Sequence, residues 1–235
     1  MRLIPFVVLV AWLVVSAPAQ AAETTAGLDL VSAYVFRGVT YNDGPCLQPY
    51  VETSAGGFTF NVWGNFDLDD YDPVQAGDFS EIDLALCYGT SFAETEFSIG
   101  VTEFLFPEGG PDTNTGEAFV SAEVPLIAGI GASAYLGYDF VIVEDIYASL
   151  GLCYELPIEL PTLAVSVTAG YAGEDAAAGG TAGFHEYAAT LEGVYPLSET
   201  MELGGFATYT SGLDEEVLPE QDVEFLGGLK LSYSF

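Results

Sequence analysis

The sequence predicts an all-β protein: an antiparallel transmembrane up-and-down β-barrel of about 12 strands behind a cleaved export signal. Three observations carry this. The chain opens on a short apolar stretch ending in small residues, it then alternates apolar and polar side chains with a period of two, and its connections alternate between short and long.

The first element is the export signal. Arg2 precedes an apolar stretch from Leu3 to Val15, and Ala19-Gln20-Ala21 supplies the small residues of a cleavage site near Ala21 or Ala22. The apolar stretch is too short for a comfortable membrane anchor, and no lipobox cysteine follows it. The expected organisation is a signal peptide over residues 1–22 and a barrel over residues 23–235.

Composition narrows what such a chain can be. It has 35 Asp and Glu against 3 Lys and Arg, a formal net charge of -32 at pH 7. Nucleic acid is excluded as a partner, because binding its backbone requires Lys and Arg to displace counterions. Half the residues are hydrophobic and 14% are aromatic, which excludes the disorder common in acidic chains. The mean hydropathy is +0.36, yet no apolar run after residue 22 is long enough for a spanning helix. Apolar residues that are numerous without forming long runs suit a wall that meets lipid at every second position.

The pattern places strands near 25–38, 45–55, 57–68, 79–91, 94–106, 115–124, 129–140, 145–156, 162–172, 184–195, 200–211 and 222–235. The links at 55–57, 91–94, 125–128, 157–161 and 196–199 are short, and those at 69–78, 107–114, 173–183 and 212–221 are longer and rich in Gly, Asp and Glu. This asymmetry of tight turns and long loops is that of an outer-membrane barrel. The short apolar link near 141–144 fits the long set badly.

In the last strand, Val223, Phe225, Leu229, Leu231, Tyr233 and Phe235 share one face, and Asp222, Glu224, Lys230, Ser232 and Ser234 the other. Alternation through Leu231 and Tyr233 to a terminal Phe235 resembles the C-terminal signal read by the outer-membrane assembly machinery, with both rings expected in an interfacial aromatic girdle.

A family resemblance sits at the other end. Tyr34-Val35-Phe36-Arg37-Gly38, then Pro45, Gln48, Phe58 and Trp63-Gly64-Asn65, resemble the start of the TorF-type porin family, also called the Gcw_chp family. The likeness concentrates in residues 32–67 and continues more loosely through Glu81-Ile82-Asp83-Leu84 to Phe235, with Ala33 standing where members usually carry an acidic or amide residue. The resemblance implies an outer-membrane barrel with channel activity and leaves the permeant open.

Within the first strand, Leu30, Tyr34 and Phe36 are expected to face lipid and Asp29 and Arg37 the lumen. Arg37 and Lys230 are the basic side chains left after signal cleavage, and both are expected inside, paired with carboxylates such as Glu224 at the seam where first and last strands close the barrel. The other expected pore-lining residues are Gln48, Glu52, Asn61, Trp63, Asn65, Asp67, Glu81, Asp83, Glu96, Glu117, Glu123 and Glu155. Carboxylates around a pore favour cations, so the expected function is passive diffusion of small solutes with a weak cation preference. The alternative is a non-conducting structural or adhesive barrel acting through its loops.

Partners expected besides small solutes or cations are outer-membrane lipid and lipopolysaccharide. The loop acids Asp69, Asp70, Asp72, Asp78, Asp214, Glu215 and Glu216 could meet divalent cations there, although they lack calcium-loop spacing and read more simply as a solvated surface. No cofactor or metal site is expected. Cys46, Cys87 and Cys153 have no metal-ligand spacing and read as small fillers, with a disulfide between two of them left open. Enzymatic activity is not expected either: the one histidine, His185, should be thrown to the face opposite Glu186 by strand alternation, and no nucleophile elbow or phosphate loop is present.

Overall fold

The computed structural model describes residues 22–71 and 73–235, so the expected signal peptide lies almost wholly outside the described residues, as does Asp72. Among the described residues fourteen strands follow one another: β1 Glu23–Val31, β2 Tyr34–Phe36, β3 Val39–Asn42, β4 Cys46–Ala55, β5 Phe58–Asp67, β6 Phe79–Phe92, β7 Thr95–Leu105, β8 Thr115–Pro125, β9 Ile130–Asp139, β10 Ile146–Glu155, β11 Thr162–Ala172, β12 Gly183–Pro196, β13 Met201–Gly212 and β14 Phe225–Ser234. Twelve of them form one closed barrel in the order β1-β14-β13-β12-β11-β10-β9-β8-β7-β6-β5-β4, each antiparallel to its neighbours. The expected fold is therefore the observed one. β1 and β14 close it, with Asp29 opposite Lys230 and Leu30 opposite Leu229.

Period-two chemistry sorts the wall. Leu28, Leu30, Val51, Ile99, Val120, Leu150, Val167 and Leu231 all turn substantially exposed apolar side chains outward. Exposed aromatics gather at both rims: Phe58, Tyr88, Phe92, Phe97, Tyr154, Tyr195, Tyr233 and Phe235 at the end of the short turns, and Phe79, Tyr138, Phe140, Tyr171, Phe184, Tyr209 and Phe225 at the end of the long loops. A band of aliphatic side chains between two aromatic rings is the outer surface of a barrel that spans a bilayer. Tyr233 and Phe235 stack edge to face, with centroids 4.9 Å apart.

The short turns use residues suited to them. Gly56 and Gly57, at φ of 60° and 85°, join β4 to β5 in the left-handed conformation that two-residue hairpins require. At the other end, the apolar link after β9 is held by the Asp139 carboxylate, which accepts hydrogen bonds from the backbone N–H of Val141, Ile142 and Val143 at 3.0–3.1 Å. That ordering lets β9 and β10 pair along their whole length in spite of the unpromising link.

Three expectations about strands need correction. The first strand does not run from 25 to 38: it ends at Val31, and residues 34–42 form a separate two-stranded sheet, β2-β3. Tyr34 and Phe36 therefore do not face lipid; Tyr34 is buried and Phe36 packs on Phe104 within the barrel. Val223 precedes β14 and packs inward on Ala33 and Leu226. Third, β12 carries an irregularity opposite Ala169 and Tyr171, which turns His185 and Glu186 both inward, contrary to strict alternation.

Candidate functional site

The site is the lumen of the barrel and the hairpin inserted into it. β2-β3 has few residues and would be marginal on its own. It is apolar and aromatic on one side, and the barrel offers it a matching surface: Val31, Tyr34 and Cys46 form a buried cluster against Phe36, Trp63 and Phe206. Burying these groups draws the segment inward, where free water would otherwise meet them. Arg37 and Gly38 make the turn at φ of 51° and 78°, a pair of left-handed residues. Gly38 is needed also for space, because a Cβ there would lie 2.7 Å from Glu186 Cβ and 2.8 Å from Leu218 Cδ2.

Polar side chains fasten the hairpin. Tyr34 Oη donates to Glu81 Oε2 at 2.7 Å, and Asn42 Nδ2 donates to Asp67 Oδ1 at 2.7 Å. The loop between β13 and β14 holds it from above, with Thr40 N–H donating to Gln221 Oε1 and Val223 N–H donating to Thr40 Oγ1. The hairpin springs from β1 and β4, and its tip reaches β8, β9 and β10, which lie opposite in the strand order. There Arg37 donates Nη1 to Glu117 Oε2 and Nη2 to Glu117 Oε1, both at 2.8 Å. Its guanidinium lies 4.0 Å from the centre of the Tyr147 ring, 4.7 Å from that of Phe36 and 5.7 Å from that of Tyr135. Tyr135 Oη donates to the same Glu117 carboxylate.

Beside this contact stands a second one. Tyr147 Oη donates to Glu186, and His185 Nδ1 lies 2.8 Å from Glu186 Oε2. His185 Nε2 is buried and has no hydrogen-bond partner among the described residues. Cavities of about 450 Å³ and about 160 Å³ flank the tip, and Phe36, Arg37 and Tyr147 line both. The hairpin tip is thus the partition between them.

The residues expected to line a pore are placed as follows. Gln48 Nε2 donates to Asn65 Oδ1 at 3.0 Å, and Asn65 Nδ2 in turn donates to Asp67 Oδ1 at 2.9 Å. Asn61 approaches Glu52 at 3.5 Å. Asp83 lies two residues from Glu81 on β6, and Glu96 stands opposite Glu123 in the β7-β8 register. Glu155 lies on the side of β10 that carries Tyr147. Both cations pair with carboxylates, but not with Glu224 and not across the seam: Arg37 pairs with Glu117, and Lys230 Nζ pairs with Glu192 Oε1 at 2.8 Å. Glu224 instead accepts hydrogen bonds from Ser211 and Tyr209. The three cysteines are free thiols. Of the loop acids, Asp70 accepts a hydrogen bond from Ala76 N–H and Asp214 from Glu216 N–H, so both stabilise their own turns.

Sequence reasoning missed Tyr135, Tyr147, Glu186 and Glu192 as partners, because the strands that carry them meet the hairpin only in three dimensions. The hairpin itself had a legible signal. Arg37-Gly38 separates Tyr34-Val35-Phe36 from Val39-Thr40-Tyr41, two short β-prone runs with a two-residue, glycine-bearing turn between them.

Comparison with known proteins places the fold. Residues 16–195 match the model of a family described as a bacterial protein of unknown function (Gcw_chp). No curated protein matches the chain. Among solved structures, the chain is similar to the KdgM porin in complex with disordered oligogalacturonate, at TM-score 0.58 and 7% identity over 91% of this chain and 99% of that one. It is similar to the NanC porin at TM-score 0.52 and 11% identity, covering 92% and 99%. It is also similar to the COG4313 outer membrane channel from Pseudomonas putida F1 at TM-score 0.51 and 12% identity, covering 94% and 97%. At these identities the shared property is the barrel fold.

Proposed function

This chain belongs to the bacterial Gcw_chp family, and from that premise we propose that it is an outer-membrane, porin-like channel for passive diffusion of small solutes, with a preference for cations. The porin label attached to residues 32–67 by resemblance is part of this proposal, since the family description itself assigns no function. So are export through the signal at residues 1–22, recognition of Tyr233 and Phe235 by the assembly machinery, and contact of the outer wall with lipid and lipopolysaccharide.

The observation that carries the proposal is the charge of the inner wall. Arg37 and Lys230 are each neutralised by a carboxylate, Glu117 and Glu192, while Asp29, Glu52 and Glu96 have no cationic side chain bonded to them among the described residues. Carboxylates enclosed by a low-dielectric wall raise the local concentration of cations and exclude anions. The outer-membrane porins and channel of similar fold support the reading. A channel fits better than an enzyme: His185 holds Glu186, but among the described residues no hydroxyl nucleophile makes hydrogen-bond contact with its Nε2.

The test is recording in planar bilayers under a potassium chloride gradient. A reversal potential of cation-selective sign is expected, and a clear anion preference overturns the reading. A second reading, a non-conducting structural or adhesive barrel, is favoured by the hairpin that crosses the lumen. Silence of the purified, folded barrel in the same recordings would establish that one instead.

A further inference from the structure

We propose that Glu117, Tyr135 and Tyr147 form a recognition site for small guanidinium- or amidinium-bearing solutes, which Arg37 occupies as a tethered ligand until such a solute displaces it. The site itself stands on geometry; its role in choosing a permeant rests on the channel reading above.

The site has the parts that planar cation recognition needs. Glu117 presents both carboxylate oxygens to a fork of N–H donors at 2.8 Å, and its side chain is only 4% exposed. The Tyr135 hydroxyl donates to the same carboxylate and fixes its orientation. The Tyr147 ring supplies a face 4.0 Å from the bound guanidinium, where the ring quadrupole attracts a cation. An ammonium group would satisfy the charge but not the paired, coplanar geometry. The selectivity should therefore favour guanidinium over ammonium.

Arg37 is placed to be exchanged. Its side chain is 21% exposed, against 4% for Glu117. The anchors of the hairpin lie on other residues, Tyr34, Thr40 and Asn42. The guanidinium can swing away while the hairpin stays seated. Because Arg37 lines the cavities of about 450 Å³ and about 160 Å³ alike, its departure would enlarge the path between them. The larger cavity limits the remainder of the solute to a small organic body.

The experiment uses the full barrel in detergent and methylguanidinium as probe, followed by calorimetric titration. Arg37→Ala vacates the site, and should bind methylguanidinium saturably and at least tenfold more tightly than wild type, the double variant Arg37→Ala with Glu117→Gln, or the same variant titrated with methylammonium. Equal binding of the probe by the single and double variants overturns the proposal, as does equal binding of methylammonium. If Arg37→Ala does not fold, recovery of folded barrel by methylguanidinium and not by methylammonium supports the site, and no difference between them overturns it. Conductance of the same variant separates the two claims: binding without conductance removes the channel and keeps the site, and conductance without binding does the reverse.

Discussion

Arg37 and Glu117 meet through two parallel hydrogen bonds at the point where a hairpin rooted in β1 and β4 touches the opposite wall. Glu117 is almost fully buried and Arg37 mostly so, so removing the Glu117 carboxylate strands a guanidinium in a poorly solvated place. Losing one member of a buried pair typically costs about 3–5 kcal/mol. The partial exposure of Arg37 brings the expectation to the lower end, about 3 kcal/mol for Glu117→Ala, measured by urea unfolding of the barrel. The same variant should show a larger single-channel conductance, because the Arg37 side chain is no longer held between the two cavities that it lines.

Lys230 and Glu192 make an ion pair of the same length with a different expected weight. Both side chains are more than a third exposed, at 37% and 40%, so water already screens them. Lys230→Met should change stability by no more than about 1 kcal/mol. It should nevertheless shift the reversal potential further toward cation selectivity, since it removes a positive charge from the inner wall while leaving Glu192 in place.

Gly38 is the point at which the hairpin can be unseated without touching charge. At φ 78° an alanine is strained, and its Cβ would meet the side chains of Glu186 and Leu218. Gly38→Ala should cost more than about 1 kcal/mol and make the segment 32–45 newly sensitive to protease in the folded barrel. Unchanged protection would show that the tip is not held as described.

Acid should loosen the loop end of the barrel before it unfolds the wall. The Asp145 carboxylate accepts hydrogen bonds from the backbone N–H of Ile146 and Asp175, which lowers its pKa below the usual carboxylate value. A lowered value in the folded state means that the contribution is present above the unfolded pKa, near 3.8, and is lost as pH falls through the folded one. Proteolysis of the connection after β11 should therefore rise below about pH 4, and Asp145→Asn should show the same sensitivity at neutral pH.

At the C-terminus, Tyr233 and Phe235 are stacked, outward and exposed at the rim. If they are read during assembly, Phe235→Ala should lower the amount of folded barrel recovered from outer membranes severalfold while leaving in vitro refolding into micelles nearly unchanged. Equal losses in both settings would mean that the ring acts on stability alone.

The wall of this protein was legible because its physics is local. Each strand turns one face outward and the other to the lumen, so side chains such as Leu229, Leu231 and Tyr233 announce their direction through alternation alone. Where the backbone departs from strict alternation, that reading failed: the irregularity in β12 turned His185 inward beside Glu186. It failed again at Tyr34 and Phe36, which keep the strand pattern but belong to a hairpin whose apolar face is buried by the lumen.

By itself, the sequence determined the class of structure, the positions of nearly all barrel strands, the orientation of the wall and the acidity of the interior, because these follow from period-two patterning and composition. Only the tertiary structure decided what fills the lumen and which acids hold the scarce cations. Arg37 and Glu117 are far apart in the chain, and nothing in the local pattern of either pairs them. Closure of β1 onto β14 sets the diameter of the barrel, and that diameter brings the tip of the hairpin to the opposite wall.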